Sequence, residues 1–302
     1  MEQISIITER TGKCSCNSRP TSQLDLQLDH TSRLFTDYST MAPGSLDFNT
    51  ALVTGGGGGI GKAIAQYLIS QKKKVIIVGR TESKLVDTSK EIGCAGHYVL
   101  DTGKTSDIAP FIKKITSEHP DLDCLINNAG VQRPLDFNKM SAEEFLEKAD
   151  NEVNINIHGP MHLAVGLLPH FKSKPHAVIM NVSSVLGYNP VSVINPVYNG
   201  TKAWVHFFSM NLRTQLQKAG ANIKVIEIAP PSVGTDLHRE REDPDDNKKD
   251  KNPSALSVDE FMDDVVKAWK EGKDTIGAGP SVKIVERWFN EFGADYNKAA
   301  GV

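Results

Sequence analysis

Four cysteines in 302 residues are few, and their spacing serves little of what cysteine usually does. Cys14 and Cys16 stand close together, but no histidine or further cysteine lies near them at metal-ligand spacing. Cys94 and Cys124 stand alone. They form neither a paired CxxC zinc site nor a disulfide framework, which points to a reducing, cytoplasmic compartment. The chain lacks any apolar run near the ~18 residues that span a bilayer. It also lacks a charge excess. Its 34 Lys and Arg against 37 Asp and Glu leave −3, so electrostatics gives no reason to expect nucleic acid or an anionic membrane as partner. No solenoid repeat is present. His158 and His162 are four apart without the glutamate of an HExxH arrangement, so no metal site is expected.

What is there is ordinary globular composition, 39% hydrophobic and 24% charged. The length suits one α/β domain with extensions. Met1 to Thr40 is rich in Ser, Thr, Asp and Gln and shows no sustained period. Ile4, Ile6 and Ile7 are too few for a secretory apolar core, and Glu2 and Glu9 argue against a transit peptide. Residues 1–45 therefore read as a disordered leader. Met41, just before the first strand, offers an alternative start.

From Asn49 onward apolar runs alternate with amphipathic stretches. Strands are expected at Ala51–Val53, Lys74–Val78, His97–Leu100, Asp123–Ile126, Ala177–Val182, Ile223–Ile228 and Thr275–Ala278. Helices are expected at Ile60–Ser70, Glu82–Ile92, Ile108–Glu118, Tyr198–Lys218 and Val258–Lys270, with one long helical region from Ser141 towards His170. This alternation implies an α/β fold: a single Rossmann-type, doubly wound parallel sheet of about seven strands with helices on both faces.

The segment Thr54-Gly-Gly-Gly-Gly-Gly-Ile-Gly61 falls between the first strand and the first helix. There a glycine turn lets the backbone approach a pyrophosphate, and the helix N-terminus offers free N–H groups to it. Gly55, Gly59, Ile60 and Gly61 are the candidate cofactor residues of this loop. The second strand ends in Gly79-Arg80-Thr81, where an NAD-specific unit would carry an acid. A guanidinium there suits a 2′-phosphate, so the expected cofactor is NADP(H). Tyr198 and Lys202, an i, i+4 pair, place a phenol and an ammonium on one helix face. A neighbouring cation stabilises phenolate and draws the phenol towards working pH.

In order, the chain reads TGGGGGIG, Asn127-Asn128-Ala129-Gly130, Asn156-Ile157-His158-Gly159, Asn181-Val182-Ser183-Ser184 and YNGTK. This succession resembles the short-chain dehydrogenase/reductase family over about Asn49 to Ala278. Within that family it resembles the fungal relatives of the oxidoreductase found in bacterial teichoic-acid D-alanylation operons, a label that carries no teichoic-acid chemistry. The resemblance implies that Tyr198 is the general acid/base and that Lys202 lowers its pKa and holds the nicotinamide ribose. It implies that Ser184 binds the substrate oxygen and that Asn156 anchors a relay water. It places Asn128, Ala129 and Gly130 along the cofactor, Asp101 at the adenine, and Val233 and Thr235 at the nicotinamide end. Ser184 stands fourteen residues before Tyr198 and Ser183 fifteen, one and two beyond the family's usual spacing. Ser184 is preferred, with a one-residue insertion in the Gly187–Pro196 loop. Asn156 is preferred to Asn151 and Asn154 by the family's Asn-x-x-Gly pattern. Pro231 replaces the family's usual glycine.

The implied organisation is a catalytic NADP-binding domain over 46–280, with a substrate lid at 232–256, and a C-terminal helical tail over 281–302. The lid segment Asp236–Pro253 has nearly balanced charge and is expected to be a mobile, solvated loop. Val191, Val193, Ile194 and Leu237 are candidate apolar walls. The expected partners are a small carbonyl or alcohol substrate and further copies of the chain in a homodimer or homotetramer. The rival readings are an NAD-linked dehydrogenase and a non-catalytic NADP-binding sensor or scaffold on the same fold.

Overall fold

A computed structural model describes residues 44–301. Cys14, Cys16 and nearly all of the expected leader lie outside the described residues. Ser45 and Phe48 are each 3% exposed, so the packing of the domain already includes the last residue assigned to the leader.

Seven strands pair in parallel: β1 (Thr50–Thr54), β2 (Lys74–Gly79), β3 (Gly96–Val99), β4 (Leu122–Asn127), β5 (Ala177–Val182), β6 (Ile223–Ala229) and β7 (Thr275–Gly277). Their order across the sheet is β3-β2-β1-β4-β5-β6-β7. Between them run α1 (Gly59–Ser70), α2 (Glu82–Ile92), α3 (Thr105–Glu118), α4 (Ala142–Val153), α5 (Gly159–Lys172), α6 (Pro196–Lys218) and α7 (Val258–Lys270), and α8 (Ser281–Ala300) follows β7.

The period of two along each strand sorts side chains into two cores. Ala51, Val53, Val75, Ile77, Val178 and Met180 face one layer, where Ile64 and Leu68 of α1 meet Phe261 and Trp269 of α7. Leu52, Ile76, Val78, Ala177 and Ile179 face the other, against Ile108 and Ile115 of α3, Leu163 and Phe171 of α5, and Leu212 and Leu216 of α6. Burying one such aliphatic side chain contributes roughly 1.5–3 kcal/mol. Both layers are needed, because each strand is covered on both faces.

The strand order reverses between β1 and β4. In an open parallel sheet this is where the loops leaving the strand ends part and leave a crevice. The anticipated long helix from Ser141 is in fact two helices joined by a π turn at Asn154–His158. The extra residue per turn shifts the side-chain phase within the stretch, and π turns of this kind are frequent at functional sites. No helix among the described residues is long and apolar enough to cross a membrane.

Candidate active site

A cleft of about 630 Å³ runs along the carboxyl ends of β1, β2, β4, β5 and β6. At one end lies the loop between β1 and α1. Gly55 has φ +67° and Gly59 φ +52°, left-handed conformations that suit glycine. A Cβ on Gly55 would stand 2.8 Å from Asn128 Nδ2, and one on Gly59 3.3 Å from Thr235 Cγ2. The loop is thus pressed against both walls and keeps a narrow, backbone-lined channel. The channel opens onto the N-terminus of α1, whose first turn carries no acidic residue. That donor set fits a dinucleotide pyrophosphate. Gly55, Gly59 and Ile60 line the cleft. Gly61 does not: it is buried behind the loop, where a Cβ would meet Asn128 Nδ2 and the Gly55 carbonyl oxygen. It allows α1 to pack closely against the loop.

Arg80 is exposed at the end of β2 and lines the cleft. Lys84, in the first turn of α2, lines it too. No motif marks Lys84, which lies four residues after Arg80. Asp101 lines the cleft after β3, and its Oδ1 accepts from the Gly103 N–H at 3.0 Å. Asn128, Ala129 and Gly130 line the opposite wall. Asn128 donates to the Thr54 carbonyl oxygen at 2.9 Å, and the Thr54 hydroxyl accepts from the Asn128 and Ala129 N–H groups at 3.0 Å. This wall is thereby tied to β1.

Deeper in the cleft stand Ser184, Tyr198 and Lys202. Lys202 Nζ sits 5.5 Å from the centre of the Tyr198 ring and donates to the Val182 carbonyl oxygen at 2.9 Å. Ser184 Oγ accepts from the Leu186 N–H, which leaves its own proton free for another acceptor. Ser183 turns the other way and donates to buried Glu227. Both serines line the cleft, but the Ser183 hydroxyl is spent on Glu227. Asn156 lies behind the cleft wall in the π turn. Its Oδ1 accepts from the Val131 N–H at 3.0 Å, and its Nδ2 donates to the Val131 carbonyl oxygen at 2.9 Å and to Thr201 Oγ1 at 3.2 Å. Asn151 is exposed and Asn154 is engaged with His158, whereas Asn156 is buried and bonds Val131 at the cleft wall. A Cβ on Gly130 would stand 3.3 Å from Asn156 Oδ1 and 3.6 Å from Lys202 Nζ, which brings the three residues to one place.

The electrostatics differ from the sequence expectation in one respect. Burial pushes the Tyr198 phenol well above its ordinary range; the neighbouring Ser184 hydroxyl pulls it down, Glu152 raises it, and Arg241 lowers it. Lys202 overlies the ring face and bonds the main chain, so it does not by itself deliver the expected lowering. Burial in turn brings the Lys202 ammonium down to about 8, against the upward pull of Glu152 and Glu227. Glu152 is fully buried on α4, with neither carboxylate oxygen in a hydrogen bond, and burial raises it to about 7. No sequence pattern marked Glu152, because a lone glutamate in a polar helix looks like a solvated position.

The segment after β6 is not the loose loop anticipated. Asn247 is buried and donates to the carbonyl oxygens of Val233 and Thr235, both at 2.9 Å. Arg241 donates to Asp246, Asn195 and Gln132, and His238 bonds Asp246. Arg241, His238 and Asp246 are thus paired inward against the domain, while Asp243 and Lys251 pair at the surface. Val233 and Thr235 line the cleft as expected. Val191 and Leu237 also line it, whereas Val193 and Ile194 do not and are exposed. Gln132 and Arg241, absent from the sequence reading, line the substrate end. Among the described residues no group of three His, Cys, Asp or Glu side chains is placed to hold a metal ion.

Comparison with known proteins agrees with this geometry. The family model for short chain dehydrogenase matches residues 49–246. The chain is 36% identical over 228 residues to the oxidoreductase DltE of Bacillus subtilis (strain 168), covering 76% of this chain and 87% of that one. It is 32% identical over 220 residues to the NADP-dependent 3-hydroxy acid dehydrogenase YdfG of Escherichia coli (strain K12), covering 71% and 86%. Among solved structures it is similar to 3-ketoacyl-(acyl-carrier-protein) reductase from Brucella melitensis complexed with NADH, with a TM-score of 0.66, 26% identity, and 77% and 98% of the two chains covered.

Proposed function

Because this chain belongs to the short-chain dehydrogenase/reductase family of oxidoreductases, we propose that it interconverts a carbonyl compound and its alcohol with NADP(H), using Tyr198 as general acid/base. The observation that carries this reading is the single cleft that joins the glycine loop and Arg80 at one end to Ser184, Tyr198 and Lys202 at the other. The loop and the N-terminus of α1 would hold the pyrophosphate, and Arg80 with Lys84 the 2′-phosphate. Asp101 would meet the adenine, Lys202 the ribose next to the nicotinamide, and Val233 and Thr235 the carboxamide end. When bound, the cofactor supplies the hydride and, in its oxidised form, a positive charge beside the phenol.

The chain's own residues do the rest. Ser184 donates its free proton to the substrate oxygen and fixes that oxygen beside Tyr198. Tyr198 gives its phenolic proton to the oxygen in reduction and takes it back in oxidation. The Lys202 ammonium stabilises the phenolate that remains. Asn156, held from two sides by Val131, anchors the water through which the proton is replaced. The segment 232–256 closes the substrate end as a lid, and Arg241 and Gln132 bound the space above Tyr198. The protein is read as a cytoplasmic homodimer or homotetramer.

The test is a panel of carbonyl compounds followed by NADPH absorbance, with NADH alongside. It begins with 3-oxo acids, the oxidised counterparts of the compounds named for the Escherichia coli relative. Turnover with NADPH is expected to exceed that with NADH. Arg80→Asp should lower kcat/KM for NADPH on the order of 10–100-fold, the loss of a charge-assisted bidentate contact, and leave NADH nearly unchanged. An NADH preference in the unaltered chain, or an Arg80→Asp chain with unchanged preference, would refute the NADP(H) assignment.

A further inference from the structure

Behind the candidate active site lies a polar cluster that the reaction as described does not use. Glu227 of β6 and His206 of α6 are both 0% exposed, and His206 Nδ1 bonds Glu227 Oε2 at 2.8 Å. Glu227 Oε1 accepts from Ser183 Oγ at 2.5 Å. Tyr188, in the turn after β5, packs on the His206 ring at 4.1 Å between centroids, and Trp288 of α8 meets that ring edge-on at 4.5 Å. A charge in such a place is costly, and a position with only a structural duty would be filled more cheaply by apolar side chains.

Each partner of Glu227 is adjacent to an active-site residue. Ser183 precedes Ser184. His206 lies one turn after Lys202 and two turns after Tyr198, on the same face of α6. Val182, whose carbonyl oxygen accepts a hydrogen bond from Lys202, precedes Ser183. The carboxylate and the ammonium thus stand on either side of the end of β5. We propose that Glu227, held by His206, is the positioning residue of this site: it ties the strand end that carries Ser184 to the helix that carries Tyr198 and Lys202, and its charge is the standing counterion of Lys202.

Two carboxylates face Lys202, Glu152 from α4 and Glu227 from β6; Tyr198 of α6, Asn156 of the π turn and Gly130 after β4 complete its surroundings. The two acids differ in kind. Glu152 has no side-chain hydrogen-bond donor, and burial, opposed by the charge and main-chain N–H of Arg133, raises it to about 7, so it loses its charge as pH falls through neutrality. Burial would raise Glu227 likewise, but the His206 and Ser183 donors outweigh it and hold the carboxyl below its ordinary value. The Glu227 carboxyl is therefore ionised over the whole range in which Lys202 titrates.

This inference rests on the reading of Lys202 as an active-site cation, and its test is separable from turnover. The full chain is labelled with ¹³Cε-lysine, and the Lys202 resonance is assigned by its loss in Lys202→Met. The resonance is titrated without ligand, and NADPH binding is measured by fluorescence. A midpoint near 8 is expected for the unaltered chain. Glu227→Gln keeps the shape and removes the charge; its midpoint should fall by about one unit, a tenfold loss of proton affinity, and NADPH should bind more weakly above neutral pH. His206→Leu should lower the midpoint too, and His206→Asn, which returns an N–H near the Nδ1 position, should restore it. Should Glu227→Gln fail to fold, the two His206 variants carry the test. An unchanged midpoint in Glu227→Gln, or equal midpoints in His206→Leu and His206→Asn, overturns the proposal. Failure of the catalytic reading would instead show as turnover in Tyr198→Phe with these midpoints shifted as expected.

Discussion

At the scale of single residues, the most consequential group is one that no motif marked. Glu152 is buried on the helix turn before Asn156, and burial, opposed by Arg133 and Lys202, raises its carboxyl to about 7. In the unfolded chain a glutamate titrates near ~4.3. Between those values the folded chain keeps a proton that the unfolded chain has released. Stability from this group is therefore full below about pH 4.3 and falls as pH rises to about 7, above which the ionised form must be buried. Glu152→Gln should leave the melting temperature near that of the unaltered chain at pH 5 and raise it at pH 8. The gain there is on the order of 3 kcal/mol. Equal changes at the two pH values would show that the carboxyl is not held protonated by burial. The same scale shows what sequence could and could not reveal. The Tyr198–Lys202 spacing is legible because i, i+4 is a helix repeat. Ser184 was separable from Ser183 only by family spacing, and the structure gives the physical reason: one hydroxyl meets Glu227 and the other faces the cleft. The tight packing of Gly61 was not legible, because glycines of different duty look alike in a run of them.

At the scale of elements, the contact between the turn after β5 and α6 carries the geometry of the site. A Cβ on Gly187 would stand 2.6 Å from the main-chain carbon and oxygen of Lys202, closer than packed atoms approach. Those atoms belong to a helix backbone and have little room to yield. Gly187→Ala should therefore cost about 1–3 kcal/mol of stability and lower turnover more than NADPH affinity. Gly200→Ala, on the same helix with nothing within 4 Å of the added carbon, should be neutral or stabilising. Equal melting temperatures for the two variants would mean that the turn moves freely. The strands and most helices were legible because their apolar periods are regular, and Ala177–Val182 and Val258–Lys270 match residue for residue. α3 begins at Thr105, three residues before its first apolar anchor, because its polar first turn leaves no trace in a hydrophobic pattern. The π turn at Asn154–His158 was invisible for a related reason: it is five residues long, too short to set a period of its own.

At the scale of the whole molecule, the alternation of strands and helices implied a doubly wound parallel sheet, and the strand order shows where it reverses, between β1 and β4. Assembly was less legible. The apolar surface of α6 can be covered by a second copy or by the chain's own last helix, and α8 takes part of it through Trp288 on His206 and Phe207. Phe207 remains 48% exposed. Isologous pairing through such a face is the commonest route to a dimer, so light scattering at micromolar concentration should return the mass of at least two chains, and a mass near one chain would end the dimer reading. The central claim is that one cleft binds the nicotinamide cofactor and that Tyr198 moves the proton within it. Its most direct test compares Tyr198→Phe with the unaltered chain, using NADPH and the best carbonyl compound of the panel. Removing only a hydroxyl should leave the fold and NADPH binding intact while turnover falls by at least ~10²–10⁴-fold; turnover within a few-fold of the unaltered chain would contradict the account.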